Sequence, residues 1–375
     1  MTDLVVAGGG PAGLAVAIEA RQRGLSVTVV DRAVPPVDKA CGEGLMPNGV
    51  KRLVELGVRI PPEHRATLGG IRYLDGDVQA EARFPGHTGL GIRRTVLHDA
   101  MIRRAEELGA RLIWKTEVRG LAPTGVVTAN GEIQATWTIA ADGLHSRLRA
   151  DAGLGRSPGR RRRYGLTRHF AIPPWTDCVE VYWGDRGEAY VTPVGPGEVG
   201  VALLWSGMAA SFDARLDGFP QLRQRLHGAV ASSRDRGAGP FEQRVRSVIS
   251  GRLALVGDAS GYLDAIVGDG LSSGLDQAAI VVDAISLARL SAYAPAHRRL
   301  IARSRAATRV LLSVGRHPRL RRRVIAALAA EPDRFSRLLA ILARQAPTWS
   351  TVLSVAPRLA WRVAWPAPRP AGRGR

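Results

Sequence analysis

The sequence predicts an α/β protein in which a parallel-sheet domain is interrupted by an antiparallel sheet and followed by a helical C-terminal region. Three observations support this fold class. A strand, a glycine-rich turn, a helix and a second strand fill residues 1–31, short alternating strands fill residues 178–205, and a helical, arginine-rich pattern follows residue 294. The chain of 375 residues is long enough to form two lobes.

The first element is a dinucleotide-binding unit. Gly8, Gly10 and Gly13 form the pattern G-x-G-x-x-G between an apolar strand and a helix, and the second strand closes on Asp31. The glycines permit a tight turn, a close backbone approach to phosphates and a close packing of helix on strand. The N-terminus of the helix attracts an anion, and Asp31 is placed to accept hydrogen bonds from ribose hydroxyls. This order predicts a Rossmann-like domain.

Charge and composition narrow the class of partner. The net charge is +20, but the only lysines are Lys39, Lys51 and Lys115, so the excess of arginine is typical of a GC-rich genome. The sequence contains no nucleic-acid-binding module, and we expect no nucleic-acid partner. We instead expect the positive charge of the chain to attract an anionic lipid or an anionic cofactor.

The two cysteines, Cys41 and Cys178, are too few for a disulfide framework, which favours a reducing cytoplasm. No uncharged apolar run reaches the length of a membrane span, and the apolar start lacks the features of a signal peptide. We therefore expect a cytoplasmic protein, either free or peripheral at the inner face of the membrane. The oligomeric state is left open.

Periodicity places further elements along the chain. The predicted elements are helices at 12–23, 98–108 and 271–290, strands at 4–7, 26–30, 111–115, 132–140 and 253–256, antiparallel strands at 178–184, 188–194 and 198–205, and a helical or irregular stretch at 207–240. The predicted domains are a discontinuous nucleotide-binding domain (1–75, 90–155 and 245–290), a substrate-binding sheet domain (76–89 and 156–244), a helical C-terminal region (291–365) and a disordered tail (366–375).

Two more motifs follow strands. Asp142 and Gly143 open the pattern D-G-x-x-S-x-x-R, and Asp258 lies in a G-D step that precedes Gly268 and Gly270 at the start of a helix. Together with the glycine turn, these motifs resemble the flavoprotein hydroxylases with a single dinucleotide fold and their relatives, the geranylgeranyl reductases. The resemblance covers roughly residues 1–290 and implies a Rossmann-like FAD-binding domain with an inserted antiparallel sheet.

The resemblance also implies which residues contact FAD. Asp258 lies against ribityl or ribose hydroxyls, the helix after Gly270 faces the pyrimidine end of the flavin, and Arg94 lies near the flavin. Asp142 could instead only cap a turn, and Arg94 could be a solvated surface residue. The implied cofactor-binding residues are Gly8, Gly10, Pro11, Ala12, Gly13, Asp31, Arg32, Cys41, Gly42, Arg94, Val118, Asp142, Gly143, Asp258, Gly268, Gly270 and Leu271.

The segment K-A-C-G-E-G-L at residues 39–45 is similar to a segment of the geranylgeranyl reductases in which the cysteine faces the flavin pocket. Cys41 could donate a proton, tune the flavin or fill space, and it is the candidate catalytic residue. The third motif departs from the hydroxylases, because Gly261 replaces their histidine and Ala265 replaces their proline. These departures leave the type of reaction open.

We expect an FAD-dependent oxidoreductase that is reduced by NAD(P)H. The leading expectation is a monooxygenase that hydroxylates a hydrophobic aromatic or polyketide-like molecule. The alternatives are a reductase that saturates isoprenoid double bonds of a lipid or quinone, and a non-catalytic FAD-binding scaffold. The expected substrate-binding residues lie on the antiparallel sheet, although their aromatic rings could equally be ordinary sheet core: Tyr182, Trp183, Tyr190 and Pro193.

The C-terminal helices carry apolar stripes between arginines. One stripe contains Leu320, Val324 and Leu328, and a second begins at Phe335. The stripes could insert into an anionic membrane or pack on the catalytic lobes, and we favour packing. The sequence shows no histidine spacing typical of a metal site and no nucleophile elbow, so metalloenzyme and hydrolase functions are disfavoured.

Overall fold

The computed structural model describes residues 1–364 except for positions 158, 160, 161 and 209. The predicted disordered tail at 366–375 lies outside these described residues. Six strands form a sheet that is parallel except at one edge. In order across the sheet these strands are Ile249–Ser250, Leu253–Leu255, Ala135–Ala140, Thr2–Ala7, Val27–Val30 and Arg111–Ile113.

The first strand forms the centre of the larger core. Its residues from Leu4 to Ala7 are all 0% exposed, so both faces of the strand are covered, as is typical of a parallel sheet with helices on each side. Pro11 begins the following helix, where its fixed φ angle suits the first turn. The long helices associated with this sheet are Pro11–Gln22, Pro47–Glu55, Arg94–Glu107 and Gly270–Ser286.

A second sheet of eight strands is antiparallel apart from one pair. Its path runs through Val230–Ala231, Arg163–Ala171, Glu198–Ser206, Gly187–Gly195, Cys178–Gly184, Gly70–Asp75 and Val78–Arg83, and Arg236–Ala238 pairs with the second of these. The strand Gly70–Asp75 belongs to this sheet, so the sheet begins six residues before the predicted boundary at 76. The three alternating strands predicted at 178–205 are confirmed.

Smaller elements connect the two large sheets. Three short sheets contain Gly44–Leu45 with Arg65–Leu68 and Gly89–Ile92, Val118–Ala122 with Gly125–Thr128 and Gly131–Ile133, and Gly155–Arg156 with Arg244–Val245. The remaining helices are Arg147–Asp151, Phe212–Leu216, Pro220–Arg225, Tyr293–Gly315, Pro318–Ala329, Pro332–Leu342 and Thr348–Ala364, with short 3₁₀ turns at Pro62–His64, Gly257–Ser260 and Leu290–Ala292.

The C-terminal helices cover one face of the eight-stranded sheet. Leu328, Phe335 and Leu339 are buried in the same apolar cluster as Trp183 and Tyr190 of the sheet. Most of the predicted apolar stripe therefore packs on the protein, as we favoured, whereas Leu320 is 39% exposed. Among the described residues we find no helix with the length and apolarity needed to cross a bilayer.

Some predicted boundaries were wrong for local reasons. The helix predicted at 98–108 begins at Arg94, and the helix predicted at 271–290 ends at Ser286. Its end is followed by Ala288 in the left-handed region, with φ of 52°, which turns the chain out of the helix. The strand predicted at 132–140 is interrupted between Ile133 and Ala135.

A buried polar network supports the turn at 257–260. Ser260 Oγ donates a hydrogen bond to Gly257 O at 2.7 Å and lies 2.9 Å from His297 Nε2. The backbone N–H of Gly257 donates to Gln277 Oε1 at 2.7 Å. Burial lowers the pKa of His297 to about 4, so its ring is neutral at pH 7.

This network predicts an acid-sensitive component of stability. Because the pKa of His297 is lower in the folded than in the unfolded chain, its contribution is present above about pH 6.5 and is lost as the pH falls toward 4. Between pH 7 and pH 5 we expect the wild type to lose about 2 kcal/mol more unfolding free energy than His297→Gln. Urea unfolding of both proteins at both pH values tests this, and equal losses would contradict it.

Candidate cofactor and active site

The glycine turn is tight enough to exclude side chains. Gly8 has φ of 108°, and a Cβ atom there would lie 2.3 Å from the carbonyl oxygen of Ala141. A Cβ atom at Gly13 would lie 1.9 Å from the carbonyl oxygen of Gly8. Gly10 is the N-cap of the first helix, so the free N–H groups of that helix point past the turn. This geometry is a cradle for an anionic pyrophosphate.

Two side chains that hold this turn come from elsewhere in the chain. Asp31 Oδ2 accepts a hydrogen bond from the backbone N–H of Gly9 at 2.7 Å. The fully buried His98 places Nε2 2.7 Å from Gly9 O, and its Nδ1 accepts from the backbone N–H of Val37 at 3.1 Å. We therefore assign the ring proton to Nε2. No local sequence pattern marks His98 as a support of the turn, because its partners are distant in sequence.

The second and third motifs are joined by Arg149. This buried guanidinium donates hydrogen bonds to Leu144 O at 2.8 Å, to Gln243 Oε1 at 2.9 Å and to Ala259 O at 3.1 Å. Burial lowers the pKa of Arg149, while Asp142 and Asp258 oppose that shift. One side chain thus ties the backbone after Asp142 to the backbone after Asp258.

The first and third motifs meet through small residues. A Cβ atom added at Gly257 would lie 2.9 Å from the Cβ atom of Ala12, and one added at Gly274 would lie 3.5 Å from the same atom. The helix Pro11–Gln22 thus lies in close contact with the turn at 257–260 and with the helix that follows it, and at Gly257 the contact is too tight for a Cβ atom. The structure therefore brings the three predicted motifs together.

Charged side chains line the groove between these motifs. Asp258 and Lys39 are exposed to the groove, but the surrounding protein partly shields their charges from water. This desolvation raises the pKa of Asp258 and lowers the pKa of Lys39. Burial also raises the pKa of the Cys41 thiol, against the opposing effect of the Arg94 guanidinium. Cys41 is therefore a protonated thiol at neutral pH, beside a cation.

The groove fits FAD. Arg94 Nε and Asp142 Oδ1 are buried and have no hydrogen-bond partner among the described residues. Gly42, Gly143 and Gly268 have no atom within 4 Å of the position where a Cβ atom would stand. A ligand that accepts from Arg94, donates to Asp142 and lies along open glycines would satisfy these groups. The pyrophosphate, the hydroxyls and the flavin ring of FAD have this combination.

The other residues implied by the resemblance occupy varied places. Arg32 is exposed next to Asp31, and Val118 begins the strand Val118–Ala122. Gly270 is the first residue of the helix Gly270–Ser286, and Leu271 is its second. Their roles in FAD binding stay predictions.

The four sheet residues do not share one surface. Trp183 and Tyr190 face the C-terminal helices, and the Tyr190 hydroxyl donates to Ile266 O at 2.8 Å. Tyr182 instead lies on the opposite face, where it donates to Glu180 Oε2 at 2.7 Å. Because side chains alternate along a strand, Tyr182 cannot line the surface formed by its neighbour Trp183. The prediction that both contact one substrate needs this correction.

Pro193 lies next to a strand that pairs with the cysteine segment. Its carbonyl oxygen would be 1.7 Å from a Cβ atom at Gly91, so the strand Gly89–Ile92 packs directly on it. The preceding residue, Thr192, donates from Oγ1 to Gly42 O at 2.9 Å. By contrast, Trp183 pairs with Glu188, which lies five residues from Pro193, or about 17 Å along an extended strand.

A buried pair that the sequence did not predict lies behind the cysteine. Glu43 Oε2 lies 2.5 Å from His169 Nε2, and both residues are buried. In the sequence, Glu43 belongs to the segment at 39–45, and His169 lies in no motif. No local pattern indicates that two residues 126 positions apart in sequence form a pair.

Comparisons with known proteins agree with this geometry. A family described as "FAD binding domain" matches residues 1–193. The chain is 30% identical over 320 residues to a menaquinone reductase of Mycobacterium tuberculosis, covering 77% of this chain and 78% of that protein. It is 26% identical to digeranylgeranylglycerophospholipid reductase 1 of Methanothermobacter thermautotrophicus, covering 73% and 74% of the two chains.

Solved structures share the fold at lower sequence identity. A flavoprotein/dehydrogenase from Cytophaga hutchinsonii superposes with a TM-score of 0.78 at 18% identity, covering 91% of this chain and 92% of that one. A triple mutant of the flavin-dependent brominase Bmp2 gives a TM-score of 0.79 at 16% identity, covering 96% and 99%. The parallel sheet, the inserted antiparallel sheet and the C-terminal helices thus form a known architecture.

Arg149 should be essential to the groove. We expect Arg149→Leu to lose about 3 kcal/mol or more of unfolding free energy, because it leaves several buried carbonyl oxygens without a donor. FAD retention should fall with it. The matched control is Arg147→Leu, which removes an exposed arginine from the same short helix. Urea unfolding and the flavin absorbance of purified protein measure both effects, and wild-type behaviour of Arg149→Leu would contradict the assignment.

Proposed function

Because the chain belongs to the FAD-binding domain family and is an FAD-dependent oxidoreductase, we propose that it reduces a double bond of an isoprenoid lipid or quinone. The observation that carries the proposal is the protonated Cys41 thiol in the groove that holds Asp258 and Arg94. Saturation of a double bond takes a proton as well as a hydride, and this thiol is proposed to supply the proton. The names of the curated relatives, a menaquinone reductase and a digeranylgeranylglycerophospholipid reductase, support the same direction.

Different residues of the chain bind the cofactor, stabilise charge in the groove and hold the proton. FAD, when bound, supplies hydride transfer. The glycine turn and Arg149 hold the nucleotide segments, Arg94 offers a cation to the groove, and the N-terminus of the helix Gly270–Ser286 favours negative charge near it. Cys41 holds a proton on its sulfur at neutral pH, and that proton is available to the second carbon of the double bond.

We propose NAD(P)H as the reductant of the flavin. The G-x-G-x-x-G turn at 8–13 is assigned to FAD, so the nicotinamide would bind only transiently. The substrate is proposed to be hydrophobic, since the curated relatives are named as reductases of menaquinone and of digeranylgeranylglycerophospholipid.

Product mass distinguishes reduction from hydroxylation. We expect anaerobic incubation with NAD(P)H and an isoprenoid quinone to add two hydrogens to the substrate, because reduction needs no oxygen. Cys41→Ser should slow this step by about 100-fold, as expected when a general acid is weakened. Mass spectrometry of paired aerobic and anaerobic reactions measures both. A product that gains one oxygen atom, and only in air, would instead identify a monooxygenase.

We also propose that the basic side of the C-terminal helices meets an anionic membrane. From Tyr293 to Ala364 the chain has fifteen arginines and only two acidic residues, Glu331 and Asp333. Arg298, Arg309 and Arg316 are exposed and have no carboxylate within ion-pair distance among the described residues. Their spacing of eleven and seven residues places them on one face of the helix Tyr293–Gly315 and its C-cap. Such a stripe suits anionic headgroups.

Flotation with anionic vesicles tests the surface. Replacing Arg298, Arg309 and Arg316 with Gln should weaken binding by about 3 kcal/mol, or roughly 100-fold, since each arginine near the surface contributes about 1 kcal/mol. The control carries the same loss of charge at exposed arginines elsewhere: Arg59→Gln, Arg119→Gln and Arg252→Gln. Equal binding of the two triple variants, or no flotation of the wild type, would contradict the proposal.

A further inference from the structure

Glu43 is an anion buried behind the cysteine segment. The residue is 3% exposed, and its Oε1 accepts a hydrogen bond from the backbone N–H of Arg94 at 2.7 Å. Its Oε2 lies 2.5 Å from His169 Nε2. Arg93 Nε is 3.7 Å from the same carboxylate. Because all of these neighbours are donors, the carboxylate is satisfied in its charged form.

His169 is fixed from its other side. Its Nδ1 lies 2.8 Å from Ser233 Oγ, and that same oxygen accepts the backbone N–H of His169 at 3.0 Å. With its oxygen accepting the backbone N–H, Ser233 can direct its own hydroxyl proton to Nδ1. We therefore assign the ring proton to Nε2, where it is donated to Glu43.

The backbone of Glu43 is strained in order to reach this position. Its φ is 56°, in the left-handed region that residues with a Cβ atom seldom adopt. Such strain persists where the surrounding structure imposes it, and it is found at functional sites. The same strained residue donates its backbone N–H to Cys41 Sγ at 3.4 Å. The bend thus joins the buried carboxylate to the thiol.

We propose that Glu43, held as an anion by His169, is a positioning residue that keeps the Cys41 thiol protonated and directed into the groove. The proposal rests on the proposed reductase function and adds a control of the proton donor to it. A negative charge two residues away disfavours a second negative charge on sulfur. It offsets Arg94, whose guanidinium would by itself favour the thiolate.

The proposed reaction balances. Saturation of one carbon–carbon double bond takes a hydride and a proton. A reduced nicotinamide supplies the two electrons through FAD, and Cys41 supplies the proton. As the new C–H bond forms, the S–H bond breaks and its electron pair stays on sulfur. The thiolate then takes a proton from water. Glu43 favours this last step, because its charge makes the thiolate the less stable form.

Other charged and titratable groups lie around the Glu43–His169 pair and the thiol. Arg93 also pairs with Glu198 Oε1 at 2.5 Å, so its charge is shared between two acids. Arg94 acts on the thiol from the groove side and Glu43 acts on it from behind, and Tyr262 lies close enough to interact with it. Burial raises the pKa of Tyr262 well above its usual value, so it stays neutral over the range tested.

The experiment measures the thiol pKa in the FAD-loaded protein without substrate. Cys178→Ala leaves Cys41 as the one thiol of the sequence, and the thiolate absorbance is read as the difference from the protein that also carries Cys41→Ser. We expect Glu43→Gln to lower the thiol pKa by about one unit. Alkylation by iodoacetamide near pH 7 should then be about threefold faster, since the lower pKa also reduces the nucleophilicity of sulfur.

Matched variants separate charge from folding. Glu43→Asp keeps the charge, and His169→Gln keeps a donor, so both should retain the wild-type thiol pKa. His169→Leu removes one of the donors to the carboxylate and should lower the thiol pKa in the same direction as Glu43→Gln but by less. The control Glu180→Gln removes a buried acid on the same sheet that bonds Arg72, Trp175 and Tyr182 instead. It should leave the thiol pKa unchanged.

The thiol pKa values of these variants decide whether Glu43 acts on Cys41. A thiol pKa in folded Glu43→Gln equal to that of the wild type would overturn the proposal, and so would an equal shift in Glu180→Gln. If Glu43→Gln does not fold, His169→Leu compared with His169→Gln gives the same test. Because no substrate is present, failure here is distinct from failure of the proposed reductase activity, which product mass decides.

Discussion

The hydrogen bonds of Arg149 are the constraint on which the cofactor groove depends. This buried cation donates to backbone carbonyls of two separate motifs, at Leu144 and Ala259, and it has no carboxylate within ion-pair distance among the residues that the structure describes. Keeping a desolvated guanidinium is costly unless its donors are satisfied. The carbonyl oxygens of Leu144 and Ala259 meet that need. The motifs therefore keep a fixed separation, and the groove between them keeps its width.

Small residues set the third side of the groove. Ala12, Gly257 and Gly274 allow the first helix to approach the last segment of the parallel sheet. With backbone so close on every side, polar atoms such as Arg94 Nε and Asp142 Oδ1 are left for a ligand to satisfy. Close packing and unsatisfied polar groups thus occur together in this groove, and both fit a large dinucleotide.

The two faces of the eight-stranded sheet pack against different parts of the protein. One face packs on the C-terminal helices through Trp183, Tyr190 and Phe335, while the other buries Tyr182 and Phe212. The end of the sheet near Thr192 reaches the cysteine segment through Gly42. The sheet therefore links an apolar surface to the redox groove. The helix Tyr293–Gly315, which precedes the covering helices, carries the exposed arginines Arg298 and Arg309.

The sequence by itself determined the three nucleotide motifs, the antiparallel strands at 178–205 and the apolar stripes of the C-terminal helices, because each depends on neighbours along the chain. Only the tertiary structure decided that Tyr182 turns away from Trp183, that His98 supports Gly9, and that Glu43 meets His169. These contacts join residues that are far apart in sequence or on opposite faces of a strand. Such pairings follow from the register of the sheets and from the satisfaction of buried polar groups, which no local pattern records.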